Sequence, residues 1–137
     1  MQRKRVLVID DEDDIREVAE ATLELTEEWE VLTANSGARG IAMAEAMKPD
    51  AILLDVMMPD MDGPATFAEL QRNPATKEIP VIFLTAKVQA ADRRRFTDLG
   101  VRGVIAKPFD PLLLGEQVRE IAEWGVTNRN PGLHSDS

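Results

Sequence analysis

The chain has 137 residues, no cysteine and a formal net charge of −9. That length suits one domain with a real core, and the absence of cysteine excludes disulfides and thiolate metal sites. The acidic balance disfavours a sequence-independent grip on nucleic acid, and no apolar run is long enough to span a membrane.

The start, Met1-Gln2-Arg3-Lys4-Arg5, is basic, but only four apolar residues follow before Asp10. A signal peptide needs a longer apolar region, so a soluble protein of the cytoplasm is expected. Val6-Leu7-Val8-Ile9 predicts a strand, and it runs into the acidic stretch 10–14. Ile15, Val18, Ala19, Thr22 and Leu23 then share one face of a helix. Acidic residues suit the first turn of that helix. Val31–Ala34 is a weaker strand, and Ser36 can cap a second helix that runs to about Met47.

Ala51-Ile52-Leu53-Leu54 runs straight into Asp55. An unbroken apolar run suits a strand buried on both faces. Gly63-Pro64 opens a short helix with Phe67 and Leu70, broken by Asn73-Pro74. Val81–Leu84 is the third apolar tetrad and ends in Thr85-Ala86. A helix carrying Val88, Ala91, Phe96 and Leu99 follows and stops at Gly100. Gly103–Ala106 is a short strand ending in Lys107-Pro108-Phe109. Asp110-Pro111 reads as a cap and first-turn proline of a last helix, with Leu114, Val118, Ile121 and Ala122 on one face and a stop at Gly125. Residues 125–137, with the lone histidine His134, read as a disordered tail or the start of a linker.

Five strands alternating with five helices predict an α/β sandwich around a parallel sheet. The three wholly apolar runs should be central and the other two at the edges. With right-handed crossovers, that gives the flavodoxin-like order 2-1-3-4-5. Strand ends then deliver Asp10 and Asp11, Asp55, Thr85 and Lys107 to one edge of the sheet. There the first and third strands are neighbours, so three carboxylates converge. Oxygen ligands without His or Cys select a hard cation, for which Mg2+ is the physiological candidate. Three carboxylates balance Mg2+ plus Lys107. A carboxylate can also act as a nucleophile in phosphoryl transfer, which needs positioning and charge neutralisation. Thr85 offers a hydroxyl and Ala86 a backbone amide to a phosphoryl oxygen. Each residue taken alone also has a plainer role: a turn for Asp55, a helix start for 10–14, a cap for Thr85, a surface lysine for Lys107.

The motifs V-L-V-I-D-D-E, L-L-D-V-M-M-P-D-M-D-G, V-I-F-L-T-A and K-P-F together resemble the response regulator receiver domain of two-component signalling, over about residues 4–124. The resemblance implies Asp55 as phosphoacceptor. It implies Asp10, Asp11, Asp55 and the Met57 carbonyl as Mg2+ ligands. Lys107 and Thr85 would contact the phosphoryl group, and the Lys107-Pro108 bond would be cis. The implied donor is a phosphohistidine on a sensor histidine kinase or phosphotransfer protein. The implied output is an unnamed protein partner on the face of the fourth helix, fifth strand and fifth helix. Such a domain is no enzyme beyond self-catalysed phosphotransfer and slow self-dephosphorylation.

Val104 stands where many receivers carry Tyr or Phe, so an aromatic rotamer switch is not available. Met57 and Lys87 occupy positions that line the path of hydrolytic water in the family. Arg93-Arg94-Arg95 is either a solvated helix face or part of a recognition surface, and Trp124 either caps the core or belongs to an interface. The competing readings are a phosphorylation-independent module of receiver architecture and a haloacid-dehalogenase-like phosphatase. The latter would need an Asp where Met57 stands.

Overall fold

The wholly apolar tetrads become the middle of a parallel sheet. In the computed structural model, which describes residues 3–125, the strands are β1 (Arg5–Ile9), β2 (Glu30–Ala34), β3 (Ala51–Asp55), β4 (Val81–Thr85) and β5 (Gly103–Ala106). Their order is β2-β1-β3-β4-β5, and every pairing is parallel. The expected flavodoxin-like order is therefore the observed one. The helices between them are α1 (Asp13–Glu27), α2 (Gly37–Met47), α3 (Gly63–Arg72), α4 (Ala90–Leu99) and α5 (Leu114–Ala122).

Alternation along each strand sends successive side chains to opposite faces. Leu7, Ile9, Ile52, Leu54 and Phe83 meet Ala44 of α2, Phe67 and Leu70 of α3 and Phe96 of α4. Val6, Val8, Leu53, Ile82 and Leu84 meet Ala19 and Leu23 of α1 and Leu114 and Val118 of α5. The result is three layers, with each buried Leu or Ile contributing about 1.5–3 kcal/mol. Phe83 packs edge-to-face between Phe67 and Phe96, at centroid distances of 6.2 and 5.0 Å. Val104 lies buried in the same layer.

Helix ends follow local chemistry. Ser36 Oγ accepts from the Arg39 amide at 3.2 Å, as expected, and Asp62 Oδ1 accepts from that of Ala65 at 2.9 Å. Gly100 ends α4 with φ of 117°.

Four expectations shift. Val18 is 42% exposed, and the buried stripe of α1 runs through Ala19 and Leu23. On α4 only Phe96 is fully buried, while Leu99 and Ala91 face outward. Asp110 does not cap α5. Its carboxylate accepts from the Leu112 amide at 2.9 Å, and a turn intervenes before the helix starts at Leu114. That helix stops where Glu123 takes φ of 62°, two residues before Gly125. Trp124 packs edge-to-face on Trp29 at 5.1 Å, beside the layer formed by α1 and α5. It closes that end of the core. Residues 126–137, including His134, lie outside the described residues. Among the described residues, no helix is long and apolar enough to cross a membrane.

Candidate functional site

Register decides which side chains meet. Ile9 pairs with Leu54, so the residues that follow, Asp10 and Asp55, leave adjacent strands side by side. Thr85 pairs with Ala106, the residue before Lys107. This is the topological switch point of the sheet, where ligands of open α/β folds bind. One carboxylate oxygen from each of Asp10, Asp11 and Asp55 lies within 4.8 Å of the other two. Asp10 is fully buried and Asp55 is 3% exposed, while Asp11 faces solvent.

Lys107 ties the carboxylates together. Its Nζ donates to Asp10 Oδ2 at 3.0 Å, Glu12 Oε1 at 3.1 Å and Asp55 Oδ1 at 3.3 Å. Backbone amides supply the rest. The amide of Glu12 donates to Asp10 Oδ1 at 2.9 Å, and that of Met57 to Asp55 Oδ1 at 3.3 Å. The Lys107-Pro108 bond is cis, as expected.

Electrostatics follow from this crowding. Burial pushes the Asp55 carboxyl up to about 6, reinforced by the Asp10 charge and opposed by Lys107. Burial also raises Asp10, against the Glu12 amide and Lys107. Burial alone would lower Lys107, but hydrogen bonds to Asp10 and Glu12 and the charges of Asp10 and Asp55 outweigh it and raise the ammonium.

A cavity of about 290 Å3 opens above these groups, lined by Asp11, Glu12, Asp55, Met57, Thr85, Ala86 and Lys107. Asp10 lies beneath the lining, bonded to Lys107. Asp10, Asp11, Asp55, Met57, Thr85, Ala86 and Lys107 are therefore gathered in one place, whereas Val104 lies in the core and Trp124 packs on Trp29. Thr85 is buried, and its Oγ1 accepts from the Lys87 amide at 3.0 Å. Met57 is 68% exposed at the rim.

Two residues of the site were not singled out from sequence. Glu12 was one of five acidic residues in a row, and nothing in that run marks it as the one that reaches Lys107. Lys107 bonds to three carboxylates, and Asp11 brings the number in the site to four, so a bound divalent ion together with the lysine would leave one negative charge in excess. In the sequence Gly63 marks only a helix start. A Cβ there would stand 2.8 Å from both the Asp55 carbonyl oxygen and Val56 Cα. The bare glycine lets the start of α3 press against the end of β3. Its amide donates to the Val56 carbonyl at 2.9 Å.

The donor set is all oxygen and anionic, and two of the carboxylates are buried. Such a set fits a hard divalent cation that keeps part of its water shell.

Fold and site together define a flavodoxin-like domain with an acidic, lysine-bridged pocket at its switch point. More narrowly, residues 6–119 match the response regulator receiver domain, and the chain belongs to that family of two-component receivers. It is 39% identical over 120 residues to the response regulator PleD of Caulobacter vibrioides, covering 88% of this chain and 26% of that one. Its structure superposes on the chemotaxis protein CheY4 of Vibrio cholerae with a TM-score of 0.81 and 28% identity, covering 88% of this chain and 99% of the other. The receiver domain of the sensor histidine kinase PA1611 of Pseudomonas aeruginosa, with a magnesium ion coordinated in its active site cleft, gives 0.78 and 26%, covering 89% and 99%. The chain spans about half or less of the length of the curated relatives it matches.

Proposed function

We propose that Asp55 accepts a phosphoryl group from a phosphohistidine of a sensor histidine kinase or histidine phosphotransfer protein. The observation that carries this reading is the placement of Asp55, with Lys107 Nζ at 3.3 Å and the Asp10 and Asp11 carboxylates within reach. An Asp55 oxygen forms the new O–P bond. The P–N bond of the donor breaks, and its electron pair returns to the imidazole, which takes up a proton.

Asp10, Asp11, Asp55 and the Met57 carbonyl would hold Mg2+. When bound, Mg2+ supplies positive charge that offsets the carboxylates and the phosphoryl oxygens. The coordinated magnesium of the PA1611 receiver supports this assignment. Lys107 orients the phosphoryl group by donating to one of its oxygens. The Thr85 hydroxyl and the Ala86 amide, both on the cavity wall, donate to another. Hydrolysis of the acyl phosphate resets the domain slowly, so the chain signals rather than turns over a substrate.

The face formed by α4, β5 and α5 carries the change to a downstream protein partner. Val104 is buried against the layer that holds Phe83 and Phe96, so no ring swings there and movement of Thr85 acts through the β4–α4 loop. Of the arginine run, Arg93 donates to the Val88 carbonyl, and Arg95 pairs with Asp92 over the Phe96 ring. The reading places the chain in the cytoplasm with its donor, without direct contact to nucleic acid or membrane.

The test is intact mass spectrometry after incubation with acetyl phosphate and Mg2+. Wild type should gain one phosphoryl group and Asp55→Ala none. An unmodified wild-type chain would instead support a phosphorylation-independent interaction module.

A further inference from the structure

An ammonium group has three N–H donors. In Lys107 all three are taken, by Asp10, Glu12 and Asp55. No donor is spare for an incoming phosphoryl oxygen, so one of these bonds must be given up.

The three acceptors are not equivalent. Asp10 is fully buried and also receives the Glu12 amide. Asp55 is the group to be modified. Glu12 has a side chain that is 60% exposed. It occupies the N-cap position of α1 yet makes no side-chain cap bond. Glutamate is a poor residue for that position, where Asp or Ser would satisfy a helix amide. The side chain forgoes capping and instead reaches a lysine 95 residues away.

We propose that Glu12 is a latch on Lys107. It holds the ammonium in the resting state and releases it when an anionic phosphoryl group on Asp55 claims that donor. The proposal rests on the reading of Asp55 as phosphoacceptor. Glu12 is a positioning residue here, because it acts through Lys107. Its charge also stands on the wall of the cavity, where it opposes an anionic donor. The latch therefore holds down the affinity of the resting domain for the phosphoryl group.

The test compares wild type, Glu12→Gln and Glu24→Gln by calorimetric titration with beryllofluoride at saturating Mg2+, and with Mg2+ alone. Glu24 is exposed on the same helix, about 18 Å further along, and its replacement makes the same change in net charge. Glu12→Gln should bind beryllofluoride about three- to tenfold more tightly than wild type. Its Mg2+ affinity should be equal or weaker, so that the gain cannot come through the metal. Glu24→Gln should match wild type. Equal or weaker beryllofluoride binding by Glu12→Gln would overturn the latch, and so would an equal gain in Glu24→Gln. If wild type binds no beryllofluoride and gains no phosphoryl group, the reading of Asp55 fails with it. If wild type does both and Glu12→Gln gains nothing, the latch alone fails.

Discussion

Lys107 Nζ stands 3.3 Å from Asp55 Oδ1 across 52 residues of chain. The contact exists because β4 lies between their strands and holds β3 and β5 in one register. It makes one ammonium the shared counterion of two buried carboxylates, since Asp10 takes the same group at 3.0 Å.

Removing that ammonium should cost stability as well as chemistry. In Lys107→Ala, Asp10 and Asp55 would face each other without it. A loss of about 2–4 kcal/mol is expected, partly recovered by added Mg2+. Urea denaturation with and without Mg2+ measures both. Unchanged stability in metal-free buffer would contradict the shared-counterion account.

The Asp55 carboxyl, raised to about 6 first by burial and then by Asp10, makes stability depend on pH. An unfolded aspartate titrates at about 3.9. Between these values the native state holds more protons than the unfolded chain, so this group's contribution to stability falls as pH rises through that window. Asp55→Asn removes the loss. Without divalent ions the variant should exceed wild type by on the order of 1–2 kcal/mol near pH 7, with no advantage below about pH 4. Thermal melts across this range test it, and a constant difference would show that Asp55 is not the titrating group.

Gly63→Ala should disturb the site through the fold. The added Cβ meets backbone atoms at 2.8 Å on the last residue of β3 and the residue after it, and backbone cannot swing aside as a side chain can. A destabilisation of about 1–3 kcal/mol is expected, together with slower phosphorylation, because the displaced segment carries Asp55. Denaturant midpoints and acetyl phosphate labelling would report the two effects. Wild-type values in both would mean that α3 can shift without moving β3.

Met57 leaves an apolar side chain, 68% exposed, on the rim of the cavity. There it would shield the acyl phosphate from water. Met57→Asn replaces it with an amide that can hydrogen-bond water, and the dephosphorylation rate should rise about three- to tenfold. The decay of the phosphorylated chain after donor removal gives the rate. Equal lifetimes would remove Met57 from any shielding role.

Much of this arrangement was legible in the chain. Val6–Ile9, Ala51–Leu54 and Val81–Leu84 suit strands covered on both faces, because no polar residue interrupts them and each ends at a polar or turn residue. Their burial set the strand order, and the order delivered Asp10, Asp55, Thr85 and Lys107 to one edge. Periodicity was less reliable on helices. Val18 fits the apolar pattern of α1, yet it lies outside the stripe that α1 presents to α5 and the sheet. The ion pair of Arg119 with Glu27, which links those two helices deep in their interface, has no signature in either local sequence.

Short segments carry enough to set the sheet, its order and the residue types at its edge, since burial and strand period are local properties. Folding is what selects Glu12, beyond the aspartates of its acidic run, as a partner of Lys107, and what makes the bare backbone at Gly63 set how closely α3 approaches Asp55. Those contacts depend on side-chain direction and on the separation of distant elements to a fraction of an ångström. Close packing fixes both, and it belongs to the folded chain as a whole.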